Sequence, residues 1–154
     1  MIGISACLGG ICCRYDGGTQ KISELAALVS EQKALLICPE VLGGLSTPRQ
    51  PAEIIGGDGF AVWQGTAKVV DTAGKDVTEA FKAGAVNALA QLQKLGINRL
   101  ILKERSPSCG SQTIYDGSFS GTKITGVGVA TALFQQNGLQ VYSEENWQQA
   151  LTES

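Results

Sequence analysis

Ala34-Leu35-Leu36-Ile37-Cys38-Pro39-Glu40-Val41-Leu42-Gly43-Gly44 is the stretch that decides the fold. Its first four residues are continuously apolar, the signature of a short strand covered on both faces. A cysteine follows the strand directly, and Pro39, Gly43-Gly44, Pro48 and Pro51 then mark residues 39–52 as a loop. Two other segments repeat the arrangement. Ile2-Gly3-Ile4-Ser5-Ala6 reads as a buried strand with Cys7 directly after it, and Leu100-Ile101-Leu102 as another, with Cys109 a few residues beyond Lys103.

Helical signals separate these strands. Ser23 can cap a helix with Leu25, Ala26, Leu28 and Val29 on one side. The longest periodic segment covers residues 78–95, where Phe81, Ala85, Leu89 and Leu92 recur at helical spacing and Gly96 stands at a C-cap position. Residues 126–136 read as a helix, 139–143 as a last strand and 144–151 as a last helix. Ile54-Ile55 and Phe60-Ala61-Val62-Trp63 flank Gly56-Gly57-Asp58-Gly59, which suggests a hairpin or bulged pair, and residues 67–70 as a further short strand. The alternation predicts an α/β fold: one domain over residues 1–154, three layers, a mostly parallel sheet with helices on both faces, and a short antiparallel edge or flap.

Composition narrows the function. The chain has 154 residues, with 12 basic and 14 acidic side chains and a net charge of -2. No basic excess exists to displace counterions, so nucleic-acid duplex binding is not expected. The 20 glycines are close to twice ordinary usage of about 7% and point to tight turns and close backbone approaches. There is no histidine, which excludes a Ser-His-Asp triad, a Cys-His dyad and a histidine zinc site. Acid–base work falls to carboxylates, Lys, Tyr, Cys or water. Residues 1–6 lead straight into a strand, no apolar run approaches a membrane span, and a reducing cytoplasm is the expected compartment.

In parallel sheets, sites form outside the carboxyl ends of the strands. Cys7, Cys38 and Cys109 should therefore meet at one sheet edge, beside loops rich in glycine. The plain alternative for any one of them is a buried thiol packed in the core. Structural zinc prefers four ligands in paired knuckles, which are missing here. Thiol nucleophiles want a base, and histidine is unavailable. An iron–sulfur cluster suits thiolates, and three ligands on four irons would leave one iron open to a soft ligand. Cys12 and Cys13 read as bystanders or packing. Arg14, Asp16, Glu104 and Arg105 are secondary candidates, and Gly126-Val127-Gly128 could cradle an anion at a helix N-terminus.

Several segments together carry more than pattern: Ser5-Ala6-Cys7-Leu8-Gly9-Gly10 with Cys13-Arg14-Tyr15-Asp16-Gly17-Gly18, Cys38-Pro39-Glu40-Val41-Leu42-Gly43-Gly44-Leu45 running to Thr47-Pro48-Arg49, Lys103-Glu104-Arg105-Ser106-Pro107-Ser108-Cys109-Gly110, Ile114-Tyr115-Asp116-Gly117-Ser118-Phe119-Ser120-Gly121, and Gly126-Val127-Gly128-Val129. This ordered set resembles the thiouracil desulfidase family over nearly the whole chain. The resemblance implies a [4Fe-4S] cluster on Cys7, Cys38 and Cys109. It implies that the open iron takes the sulfur of a thiolated pyrimidine, which leaves as the oxygen base. The family's acidic residue falls on Glu40 and its serine on Ser106, the expected catalytic pair. Gly9 stands where that family commonly has Leu. A small thiolated nucleobase is the expected partner of a monomeric chain. The competing readings are a cluster-based sensor or carrier without turnover, and cluster-dependent thiolation of a nucleobase. The latter lacks a Walker-type loop for ATP.

Overall fold

The computed structural model describes residues 1–8, 22–46 and 49–152. The first half of the chain runs β1 (Ile2–Ser5), α1 (Ser23–Ser30), β2 (Ala34–Ile37), α2 (Pro39–Leu42), β3 (Ala52–Ile55), α3 (Gly59–Gln64) and β4 (Lys68–Asp71). The second half runs α4 (Thr78–Lys94), β5 (Arg99–Leu102), β6 (Thr113–Tyr115), β7 (Lys123–Thr125), α5 (Val129–Gln136), β8 (Gln140–Ser143) and α6 (Trp147–Thr152).

The central sheet has the order β2-β1-β5-β8, and every neighbouring pair is parallel. Because side chains alternate along a strand, each strand feeds two cores. Ile4 and Ile101 point to one face, where Leu25 of α1 and Ala150 of α6 cover them. Ile37, Leu100 and Leu102 point to the other, against Phe81, Ala85 and Leu92 of α4 and Val129 and Phe134 of α5. Leu100, Ile101 and Leu102 are fully buried, each burial contributing about 1.5–3 kcal/mol. The expected three-layer α/β arrangement is therefore present. None of the described helices is long and apolar enough to cross a membrane.

Some local expectations fail. Residues 60–63 are not strand; they belong to α3. Asp58 caps that helix by accepting from the Ala61 N–H at 3.2 Å, and Gly65 closes it in a left-handed conformation at φ 85°. Capping chemistry outweighed a four-residue apolar run too short to show a period. The true partner of β3 is β4, antiparallel with Ile54 opposite Val69. This pair forms its own two-stranded sheet, the antiparallel flap of the expected edge or flap. A second ribbon, β6–β7, had no strand signal. Ser23 is the first residue of α1 and not its cap, which is Ile22 without a side-chain bond. The 39–52 loop contains one turn of helix, α2.

Candidate active site

The carboxyl ends of β1, β2 and β5 open into a cavity of about 510 Å³ lined by Cys7, Cys38, Cys109, Glu40 and Ser106. The structure thus gathers five residues from three distant segments. Cys7 and Cys109 are buried and Cys38 is partly exposed; none is in a disulfide. Cys12, Cys13, Arg14 and Asp16 lie outside the described residues.

Cys38 and Glu40 are positioned by a close contact between backbones. Helix α2 lies directly on α4: a Cβ on Gly84 would stand 1.8 Å from the Pro39 carbonyl oxygen, and one on Gly43 would stand 2.0 Å from that of Ala80. Only a residue without a side chain permits this approach. Glu40 is then held from two sides. Arg49 Nε donates to its Oε2 at 3.0 Å, with Nη2 on the same oxygen, and the Ser106 hydroxyl donates to Oε1 at 3.3 Å. The Glu40 and Arg49 side chains are 16% and 10% exposed, so the ion pair is well shielded from water. Sequence reasoning assigned Arg49 no role. Its signal was its place in the Thr47-Pro48-Arg49 end of the Cys38 motif.

Cys109 sits on a loop with little slack. Ser106 Oγ accepts the N–H groups of Ser108 and Cys109 at 3.0 and 3.1 Å. Glu104, 3% exposed, closes the loop from below. Its carboxylate accepts from the N–H groups of Ser111, Gln112 and Thr113 at 2.8, 3.0 and 3.2 Å, and from the Ser111 hydroxyl at 2.7 Å. Burial pushes the Glu104 pKa up, but these bonds outweigh it and hold the carboxyl below its ordinary value. Helix α5 begins at Val129, and its first N–H groups bind the same loop: Val129 to the Pro107 carbonyl at 2.7 Å and Ala130 to that of Ser108 at 2.8 Å. Gly126-Val127-Gly128 therefore presents no anion cradle. Arg105 pairs at the surface with Glu145 at 2.9 Å.

The electrostatics of Cys109 disfavour a bare thiolate. Burial raises its pKa first, the Glu40 carboxylate and Cys38 raise it further, and the Ser108 and Ser5 hydroxyls pull the other way. A thiolate there needs a compensating positive charge, as a metal centre supplies. Ser108 Oγ is buried with no nitrogen or oxygen partner and acts on the Cys109 thiol, whose pKa it lowers, so it is a donor suited to a metal-bound sulfur. Among the described residues, no three Cys, Asp or Glu side chains are grouped to hold a single metal ion. A cluster makes a different demand, since each thiolate binds its own iron and the ligands need not converge on one point. The donor set fits an iron–sulfur cluster better than mononuclear zinc.

A family model described as 2-thiouracil desulfurase matches residues 2–146. The uncharacterized protein YbbK of Bacillus subtilis (strain 168) is 55% identical over 144 residues, covering 94% of this chain and 95% of that protein. Among solved structures, the [4Fe-4S]-dependent thiouracil desulfidase TudS superposes with a TM-score of 0.86 at 45% identity, over 97% of this chain and 94% of that one.

Proposed function

Since the chain belongs to the 2-thiouracil desulfurase family, we propose that it converts a thiolated pyrimidine and water into the oxygen base and hydrogen sulfide, with no net redox change. The cofactor of TudS is carried over as a [4Fe-4S] cluster on Cys7, Cys38 and Cys109. The observation that carries this reading is the cavity itself: three thiols from three strand ends share it with a carboxylate. A carrier or sensor has no use for a walled cavity with a paired acid beside its thiols.

When bound, the cluster supplies an open iron, a Lewis acid for soft thiocarbonyl sulfur. The chain's residues do the rest. Glu40 takes a proton from the water that adds at the ring carbon, and returns it to the departing sulfur. Arg49 engages Oε2 through Nε and Nη2, so the proton is handled at Oε1. Ser106 donates to Oε1 and so aims it; its hydroxyl also offers a path for the proton. Phe81 and Leu45, on the cavity wall, limit competing water. The chain is taken to act as a monomer, and thiols not joined in disulfides suit a reducing cytoplasm.

The test is anaerobic loading with iron and sulfide, followed by sulfide release from 2- and 4-thiouracil. The expected result is a brown absorption band and turnover of at least one substrate. Cys7→Ser, Cys38→Ser and Cys109→Ser should each lose both. No release from either base by fully loaded protein overturns the reading, and parental iron content in Cys38→Ser overturns the ligand set.

A further inference from the structure

The turn between β6 and β7 reaches the cavity that holds the cysteines, and its Phe119 forms part of the wall. Phe119 has a left-handed backbone, φ 57°, which is unfavourable for a bulky residue and persists only where surroundings impose it. Three features impose it here. Glu53 Oε1 accepts the N–H groups of both Gly117 and Phe119, at 2.9 and 3.2 Å. Gly117 lies flat on β3, where a Cβ would stand 2.6 Å from the Ile54 carbonyl oxygen. The hydroxyls of Ser118, Ser120 and Thr122 link to one another at 2.6 and 2.9 Å, bracing the turn from outside. Despite this bracing, Phe119 is 38% exposed. A strained, multiply tethered turn that ends in an accessible aromatic ring contributes little to a core.

We propose that Phe119 is the platform on which the ring of the substrate stacks, and that Glu53 is a positioning residue that holds this platform. The inference rests on the proposed desulfidase reading and names the part of the site that recognises the heterocycle rather than its sulfur. A pyrimidine is flat and offers a π-face whatever its substituents, so one aromatic platform selects a planar ring while the thiols select the thiocarbonyl. Tyr115, also on the wall, adds a second aromatic side chain near the same turn.

The experiment measures equilibrium binding of 2- and 4-thiouracil by calorimetry to anaerobically loaded protein carrying Glu40→Gln to suppress turnover. Iron content and absorption spectrum are matched across Phe119 and Glu53 variants, and KM and kcat are read with Glu40 intact. Phe119→Ala should weaken binding roughly 5- to 150-fold, the range for losing one base–aromatic stack. It should raise KM while leaving kcat near the parental value. Phe119→Tyr should bind like the parent, and Phe119→Leu should fall well short of it. Glu53→Ala should reproduce much of the Phe119→Ala loss, and the double variant should be no weaker than Phe119→Ala alone. Parental binding by Phe119→Ala, or full rescue by Leu, overturns the inference while leaving the desulfidase reading intact. Loaded protein with Phe119 and Glu53 intact that binds neither 2-thiouracil nor 4-thiouracil overturns both.

Discussion

The Cys38–Glu40 corner and the 103–113 loop each place a carboxylate near a cysteine of one cavity, yet the two acids are held in opposite ways. Both acids line the cavity, but Glu40 is fixed by side chains, Arg49 and Ser106. Glu104 is fixed mostly by backbone N–H groups, and its bonds face into its own loop. Side-chain partners leave an acid able to exchange a proton with something new. Several backbone donors saturate an acid and turn it into a structural anchor. The family resemblance already ranked Glu40 as the catalytic acid and Glu104 as a secondary candidate, but the physical reason for the division lies in partners that only folding supplies.

The largest expected effect breaks the comparison on the Glu40 side. Glu40→Gln should lower kcat for thiouracil by about 10²–10⁴-fold, the usual contribution of a general acid–base group. Iron content should stay close to the parent, measured on anaerobically loaded protein. The substitution is not silent for stability, because Arg49 is left as a shielded cation without its counter-charge. A loss of about 1–3 kcal/mol in denaturant titration is expected, less than the full cost of breaking a buried pair since Arg49 Nη1 keeps the Ser46 carbonyl at 3.0 Å. Equal rates in variant and parent would make both acids structural and erase the distinction.

On the Glu104 side the expected damage is to the fold. Glu104→Ala strands at least three N–H donors in the loop and should cost about 3 kcal/mol or more in unfolding free energy, with poor retention of iron. Whatever fraction loads should turn over at close to the parental rate per cluster. A rate per cluster lowered as far as in Glu40→Gln would instead make Glu104 part of the chemistry. The pH dependence has a definite sign. The folded-state pKa of Glu104 lies below its ordinary 4.5, so the ionised carboxylate stabilises the fold above that value, and the stabilisation disappears as pH falls through the lowered folded pKa. Between about pH 5 and pH 2, the stability of Glu104→Gln should fall less steeply than that of the parent, as read from urea midpoints.

Most of the frame was legible because it rests on periodicity. The runs 2–6, 34–37 and 100–102 announced buried strands, and the rule that sites form at the carboxyl ends of parallel strands brought Cys7, Cys38 and Cys109 to one edge from sequence alone. The misreadings came where tertiary contacts decide. Residues 60–63 are apolar enough for a strand but start at an Asp58 cap. The segment at 126–128 looked like an anion cradle, but the N–H groups of the helix it leads into are bound to the Cys109 loop. Arg49, in a loop, and Glu53, on β3, went unassigned because a lone charge looks the same in sequence whether it is solvated or meets a partner. Only folding brings Glu40 to Arg49 and Glu53 to Phe119.

The smallest expected effect tests the residue that joins the two regions. Ser106 donates to Glu40 Oε1 and accepts from the Ser108 and Cys109 N–H groups, so its removal loosens the acid and the ligand loop together. Ser106→Ala should cost about 1–2 kcal/mol of stability and lower kcat by about tenfold, the equivalent of one modest hydrogen bond lost at the carboxylate. The Glu40→Gln background separates the two roles. If Ser106 acts on turnover through Glu40, Ser106→Ala costs a factor of ten in the parent and little further rate in Glu40→Gln, while its stability cost is the same in both. If it acts only by shaping the Cys109 loop, the rate loss is equal in the two backgrounds and follows iron content. Ser106→Thr keeps the hydroxyl and should restore both rate and loading. Failure of threonine to restore the rate at full loading would remove the hydroxyl from the proton path and leave Glu40 to work with Arg49 alone.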